Sequence, residues 1–167
     1  MSSRSESIDL WWCFGARDYD RAISEALFAL ELDPSFAEAH WLLAISYAEQ
    51  GRYKEALTEL ELYEVPSGYS VLWYRGYILA LAGRRDEAFE ALEKLEKRGA
   101  PDTERAYILL GLDDRAGVLE ALEKAEGSDI AFQPYLWPRY ATYHDDPQFR
   151  AVLERFGLPL PPHGGSA

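Results

Sequence analysis

The side chains best suited to chemistry lie near the end of the chain, where His144, Asp145 and Asp146 form its one histidine–carboxylate cluster. A metal site would need further ligands from elsewhere in the fold, because zinc and other transition metals take several donor atoms. Asp146 is followed by Pro147, which is typical of a helix N-cap with proline at the first helical position. Capping accounts fully for Asp146, so the sequence favours a structural role for this cluster over metal or acid–base chemistry.

The remaining reactive side chains stand apart from one another in the sequence. Cys13 is the single cysteine, so it can form neither an internal disulfide nor a cysteine-rich metal site, and its place on an inner helix face indicates core packing. His40 lies at a helix position that favours packing over catalysis, and His163 falls in the C-terminal tail. No glycine-rich phosphate loop is present. We therefore predict that the protein is not an enzyme and has no metal and no cofactor.

Composition narrows the class of protein further. The 167 residues are 48% hydrophobic, which is enough for an ordered core and is the size of one domain. The formal net charge of −12 disfavours binding to nucleic acid or to an anionic membrane surface, because both depend on lysine and arginine. No apolar run approaches the roughly 20 residues that span a bilayer. We expect a cytoplasmic protein with no nucleic-acid partner and no membrane partner.

Four related segments recur along the chain at the interval of a helical hairpin. In each, a turn with charged residues leads into an apolar pair, and successive pairs are 34, 32 and 30 residues apart. Apolar residues then follow at i, i+4 and i+7, which is one stripe of an α-helix whose opposite face is charged. The predicted stripes are Ala22, Ala26 and Ala29; Ala56, Leu60 and Tyr63; Ala88, Leu92 and Leu95; and Val118, Leu122 and Ala125.

A first helix precedes each of these second helices, and its inner positions keep the same register. Small residues at Ala44, Gly76 and Ala106 would let neighbouring helices approach closely. The inner pairs are Leu10 with Cys13, Ala44 with Tyr47, Gly76 with Leu79, and Ala106 with Leu109. Because proline and the residue before it resist helix continuation, dipeptides ending in proline predict the unit boundaries. These dipeptides are Asp33–Pro34, Val65–Pro66 and Ala100–Pro101.

The second unit resembles a tetratricopeptide repeat almost position by position. Its leucine, small, tyrosine, glycine, aromatic and alanine positions are Leu43, Ala44, Tyr47, Gly51, Tyr53 and Ala56. The resemblance covers about residues 3–126 and weakens in the fourth unit, where Asp113 stands for glycine and Val118 for alanine. It implies an all-α fold in which about four antiparallel helix pairs form a right-handed superhelix. The expected pairs are 3–34, 35–66, 69–99 and 102–126.

The segment 127–157 differs from the repeats because it is rich in aromatic residues and proline. Its last part predicts a capping helix over Gln148–Phe156 that ends at Gly157, and it resembles the closing segment of bacterial tetratricopeptide modules. We expect residues 158–167 to form a disordered tail. The sequence leaves open whether the chain stands alone or is the helical arm of a larger protein.

In the tetratricopeptide family the first helix of each pair lines the concave side of the superhelix, so the resemblance identifies the groove positions. Here these positions are aromatic and apolar, which suits an amphipathic helix or an extended apolar peptide of a partner protein. They lack the lysine, arginine and asparagine with which chaperone-binding members of the family hold a terminal carboxylate. The predicted partner-contact residues are Trp11, Phe14, Trp41, Ile45, Trp73, Tyr77 and Tyr107.

Alternatives remain for the state of this groove and for its function. The groove is open to a partner, or it is filled by residues 128–143 with Phe132, Leu136 and Trp137 as internal ligands, or it meets a second copy of the chain in a homodimer. The leading function is a non-enzymatic protein–protein interaction scaffold. The alternative is a regulatory sensor arm of a bacterial signalling or transcription-control system that binds a small signal molecule.

Overall fold

Eight α-helices and one 3₁₀ helix make up the part of the chain that the computed structural model describes, residues 18–67, 71–125 and 138–158. No strand occurs within these ranges, and the all-α prediction is confirmed. None of the described helices is long and apolar enough to cross a bilayer. In chain order the helices are α1 (Tyr19–Leu32), α2 (Ala37–Glu49), α3 (Tyr53–Ser67), α4 (Leu72–Leu81), α5 (Arg85–Lys97), α6 (Asp102–Gly111), α7 (Arg115–Lys124), the 3₁₀ helix (Pro138–Tyr143) and α8 (Pro147–Arg155).

Consecutive helices pack as hairpins. The pairs α2–α3, α4–α5 and α6–α7 are each joined by a short turn and pack on each other. The first of these hairpins meets the second where α3 packs on α4, and the second meets the third chiefly where α4 packs on α6. Helix α1 packs on α2 and takes the place of the second helix of the first pair. The first helix predicted for that pair falls within residues 1–17, outside the described residues. The protein is therefore a helical repeat, built from hairpins that bury one face against the next.

The predicted stripes of the second helices lie in the core. Ala22, Ala56, Ala88 and Val118, the first residue of each stripe, are all fully buried. An alanine or a valine at this place lets the second helix lie close to its own first helix, because the side chain adds little width. The helical periodicity read from the sequence therefore identified the buried faces correctly.

Gly76 marks the closest approach between two hairpins. A Cβ atom added there would lie 2.8 Å from Cγ1 of Ile108 on α6 and 3.0 Å from Cβ of Ala91 on α5. Such distances are shorter than van der Waals contact, so a larger residue would force α4 away from α6. The prediction that a small residue at this position permits close helix packing is confirmed.

The turns inside the three complete hairpins share one backbone conformation. Gly51 and Gly83 have φ of 77° and 75°, and Asp113 has φ of 59° at the corresponding turn. In each turn the next residue donates its N–H to a carbonyl five residues back, as in a Schellman cap. These bonds run from Arg52 to Tyr47 (2.8 Å), from Arg84 to Leu79 (2.9 Å) and from Asp114 to Leu109 (3.0 Å). The fourth unit thus departs from the repeat in sequence but not in backbone geometry.

Helix ends follow the proline signals in two places and not in a third. Helix α1 ends before Pro34, and α5 ends before Pro101. Helix α3 instead continues through Val65–Pro66 to Ser67, so the prediction that this dipeptide ends the helix is wrong. A proline in the last turn removes the one hydrogen bond that its N–H would make and leaves the preceding turns intact, so the helix ends one residue later.

The C-terminal helix α8 is joined to the last hairpin at both of its ends. The Asp146 side chain accepts hydrogen bonds from the N–H groups of Gln148 (2.8 Å) and Phe149 (3.3 Å), which confirms the predicted N-cap. The guanidinium of Arg115 donates to the other Asp146 oxygen at 2.6 Å. At the far end, Arg155 donates to the Glu123 carbonyl at 2.7 Å, one of the carbonyls left open where α7 ends.

Candidate functional site

The first helices of successive hairpins place their aromatic rings next to one another. The ring centroids of Trp41 and Trp73 are 5.8 Å apart, and those of Trp73 and Tyr107 are 4.7 Å apart. Tyr74 lies 4.9 Å from Trp41 and stacks on Tyr77 at 5.5 Å. We call these five residues of α2, α4 and α6 the aromatic row. The repeat contributes to it, because Trp41 and Trp73 are 32 residues apart and Tyr77 and Tyr107 are 30 apart, which are the spacings of the second to third and of the third to fourth units.

Accessibility varies along the predicted contact residues. Trp41 and Trp73 are half-buried, so part of each ring system faces outward. Ile45 and Tyr77 are fully buried, and Tyr107 is 2% exposed. Trp11 and Phe14 lie outside the described residues. The structure thus brings the two tryptophans together at the surface and places the three other described residues beneath, where their side chains support the surface from behind.

The C-terminal segment covers one end of the aromatic row. Tyr140 of the 3₁₀ helix is 1% exposed, and its ring lies 6.0 Å from that of Tyr107. On its other side Tyr140 stacks on Phe149 of α8 at 5.7 Å and meets Tyr143 at 5.9 Å. Within the described residues, the chain therefore fills the fourth-hairpin end of the surface itself. The three residues predicted to be internal ligands, Phe132, Leu136 and Trp137, lie outside the described residues.

The polar groups of the row carry no charge of their own. Burial raises the pKa of Tyr74, Tyr77 and Tyr107 well above the usual range of a phenol, and the Glu49 carboxylate raises that of Tyr77 further. The Tyr77 hydroxyl donates a hydrogen bond to Glu49 at 2.9 Å, which joins α4 to the end of α2. The row thus offers aromatic rings and neutral hydroxyls, a chemistry for contact and not for proton transfer.

Two tyrosines that pack against the tryptophans were absent from the predicted contact residues. Tyr74 follows Trp73 directly, yet it is fully buried and touches both tryptophans. Tyr63 of α3 lies 5.3 Å from Trp41 across the hairpin. The spacing of Tyr74 and Tyr77 at i and i+3 is a signal that could have identified the first, because such residues share a helix face.

The histidines at 40 and 144 have structural partners, whereas Cys13 and His163 lie outside the described residues. His40 Nδ1 lies 2.7 Å from a Glu59 carboxylate oxygen, and both side chains are largely buried where α2 meets α3. The His144 ring stacks on Phe149 with centroids 6.4 Å apart. Among residues 18–67, 71–125 and 138–158, no three histidine, cysteine, aspartate or glutamate side chains lie together in a way that could hold a metal.

A cleft separates the α6–α7 turn from the 3₁₀ helix. Its volume is about 240 Å³, below the usual range of about 300–1,000 Å³ for small-molecule sites. One of its two guanidinium groups, Arg115, is already paired with Asp146 and lies 4.4 Å from the centre of the Tyr143 ring. The cleft is lined by Leu110, Asp113, Arg115, Arg139, Thr142 and Tyr143. Its size does not favour a binding site for a signal molecule.

Two family models match the chain, and both are described as tetratricopeptide repeat. One matches residues 14–67 and the other residues 70–103, which together make up a little over half of the chain. The matched ranges contain α1 to α5 and with them Trp41, Trp73, Tyr74 and Tyr77. No curated protein and no solved structure matches the chain.

Proposed function

The chain belongs to the tetratricopeptide repeat family, whose repeats are generally protein–protein interaction modules, and we propose that it is a non-enzymatic scaffold that holds a peptide or helix of a partner protein. The proposed contact surface centres on Trp41 and Trp73. The single observation that carries the proposal is this pair of partly exposed rings, 5.8 Å apart on successive first helices.

The packing beneath the two tryptophans supports this role. Tyr74 touches both rings and is itself fully buried, as are Ile45 and Tyr77. Side chains held in place before binding lose little conformational entropy when a partner arrives. Tryptophan and tyrosine are also the residues that most often dominate binding energy at protein interfaces. Ile45, Tyr77 and Tyr107 therefore act in this proposal by positioning the contact rings.

The chemistry of the surface indicates the kind of partner. Large apolar rings with polar edges suit an amphipathic helix or an extended apolar segment. The groove positions occupied by Trp41, Ile45, Trp73 and Tyr77 supply no lysine or arginine that could bind the charged terminus of a peptide. We prefer the scaffold to a small-molecule sensor because Trp41 and Trp73 are partly exposed side by side, whereas the cleft beside Arg115 is small.

The proposal is tested with the native partner. Proteins retained by the immobilised full chain from its own host are identified, and their affinity is then measured by calorimetry for the wild type and for Trp73→Ala. We expect Trp73→Ala to weaken binding by about 2 kcal/mol, or roughly 30-fold. Phe89→Ala is the matched control, because Phe89 is a 46%-exposed aromatic on a second helix, α5.

Two results would contradict the assignment. One is an affinity for Trp73→Ala equal to that of the wild type. The other is an equal loss for Phe89→Ala, which would show that the effect is not specific to the aromatic row. Circular dichroism on each variant establishes that the fold is kept, so that a loss of affinity is read as a loss of contact.

A further inference from the structure

The negative charge of the protein is concentrated at one end. Residues 18–67 hold eleven acidic and three basic side chains, a net charge of −8 out of −12 for the chain. Residues 71–125 hold eleven acidic and nine basic side chains, and residues 138–158 hold three of each. The field of the molecule is therefore strongly negative around α1 to α3 and close to balanced around α4 to α8.

Exposed apolar side chains are concentrated at the same end. Of the five large hydrophobic residues most exposed within the described part of the chain, four belong to α1 and α3. The fifth, Phe89, belongs to α5, where the Arg85 guanidinium lies 5.9 Å from the centre of its ring. The four are Leu27 (45% exposed), Phe28 (56%), Leu32 (69%) and Leu62 (47%). Acidic side chains on a surface are explained by their solvation, but exposed leucine and phenylalanine beside them are not, and such apolar groups mark interaction sites.

Two of these side chains share one face of α1, and a third takes the corresponding place on α3. Phe28 and Leu32 are four residues apart on α1, so they lie one above the other on the side opposite the buried Ala22 and Ala26. Leu62 follows Phe28 by 34 residues, the spacing of the repeat, and takes the corresponding place on α3. We call Phe28, Leu32 and Leu62 the outer apolar residues. They lie on second helices, whereas the aromatic row lies on first helices.

We propose that the outer apolar residues dock a cationic amphipathic segment of a partner protein. Such a segment presents an apolar stripe at helical spacing, which matches Phe28 and Leu32 at i and i+4. Its lysine and arginine side chains would face the exposed carboxylate of Glu31 beside that stripe. They would also meet Glu25 and Glu61, whose carboxylates lie 3.9 Å from Arg21 and 3.3 Å from Arg75 within the chain. The opposite charges steer the two proteins together and raise the association rate.

Charge also decides between the occupants of this face. A second copy of the chain would bring together two segments 18–67, each with a net charge of −8, which is repulsive. An anionic membrane is repelled for the same reason. A partner that is apolar on one side and positively charged at its edges satisfies both properties of the face at once. The inference does not depend on the function proposed for the aromatic row.

The probe is a fluorescein-labelled synthetic helix of lysine and leucine with the leucines on one face. Its binding to the full chain is followed by fluorescence anisotropy at low and high salt. A scrambled peptide of the same composition tests the need for the apolar stripe, and a glutamate–leucine peptide of the same pattern tests the need for positive charge. The protein variants are Phe28→Ser with Leu32→Ser, and Phe89→Ser as the matched control.

We expect the patterned lysine–leucine peptide to bind, to bind less tightly at high salt, and to lose about tenfold in affinity with the double Phe28→Ser, Leu32→Ser variant. Phe89→Ser should leave its affinity unchanged. A loss with Trp73→Ala that the double Phe28→Ser, Leu32→Ser variant does not show would place the peptide on the aromatic row and overturn the inference. The inference is overturned if the scrambled or the acidic peptide binds as well, or if the double variant binds like the wild type. Sedimentation that shows a wild-type dimer, dissociated by the double variant, would assign the face to a second copy and overturn it too.

Discussion

The helices at the two ends of the described chain, α1 to α3 and α6 to α8, share the same hairpin pattern. They differ in whether their large apolar side chains outside that pattern are exposed or buried. At the first end, Phe28, Leu32 and Leu62 are exposed among excess carboxylates. At the second end, Tyr107, Tyr140 and other aromatic residues are buried against each other, and the excess of carboxylates is smaller, with nine acidic and six basic residues over 102–125 and 138–158. The difference indicates that the hairpin pattern supplies the scaffold, while the residues outside its stripes decide how much apolar surface each end exposes.

The second end has a physical reason to be covered. The last helix pair of a stack has an apolar face that no further pair buries, so a terminal segment with a polar outer side must cover that face. Here the 3₁₀ helix and α8 do so through the stacked rings of Tyr140 and Phe149. The Arg115–Asp146 ion pair and the bonds from Arg155 to the end of α7 hold the cover in place.

The strongest test of the comparison is to remove a ring from each end. Tyr140→Ala should lower the free energy of unfolding by about 3–5 kcal/mol, because it leaves a cavity between Tyr107 and Phe149. Phe28→Ala should change it by less than about 0.5 kcal/mol, because that ring is 56% exposed. Urea denaturation followed by circular dichroism measures both. Equal effects would show that the two ends are not packed differently.

Asp146 tests whether the cover depends on its cap. Asp146→Ala should cost about 1–2 kcal/mol, because it removes the acceptor for two N–H groups and the partner of Arg115. Asp146→Asn keeps a capping oxygen and should cost less. Unfolding in urea gives both values. Equal stability of the alanine and asparagine variants would show that the cap does not stabilise α8.

The same carboxylate gives this end a pH dependence. Burial raises the pKa of Asp146, but the bonds from Arg115, Phe149 and Gln148 lower it by more, so the folded pKa lies below the usual value. The stabilisation is therefore fully present above about pH 4, the unfolded pKa of an aspartate, and is lost as the pH falls through the folded pKa. The stability difference between wild type and Asp146→Ala should shrink on acidification.

The smallest effect concerns the turns. Asp113 adopts the positive φ that Gly51 and Gly83 adopt in the other hairpins, and an L-residue there is strained. Asp113→Gly should therefore raise the free energy of unfolding by about 0.5–1 kcal/mol, whereas Gly83→Ala should lower it by about 1 kcal/mol. Thermal unfolding of the pair would show opposite shifts in Tm. A destabilised Asp113→Gly variant would mean that the aspartate side chain contributes more than its backbone strain costs.

Much of the fold could be predicted from local pattern. The stripes beginning at Ala22, Ala56, Ala88 and Val118 are buried as predicted, because a helix places i, i+4 and i+7 on one face whatever surrounds it. The Asp146 cap was predictable for the same reason, since it involves only the next three residues. The helix boundary at Pro66 was not predicted correctly, because a proline near a helix end either ends the helix or lies within its last turn, and the local sequence does not distinguish these two outcomes.

The sequence by itself determined that the chain forms successive helical hairpins and which face of each helix packs inward, because both depend on residues within one or two turns. The tertiary structure alone decided how much of each ring in the aromatic row stays accessible. Tyr107 is buried because Tyr140, 33 residues later, packs beside it, and Trp41 meets Trp73 because two hairpins stack in register. Accessibility is a property of pairs of segments distant in the chain, and periodicity within one helix carries no information about it.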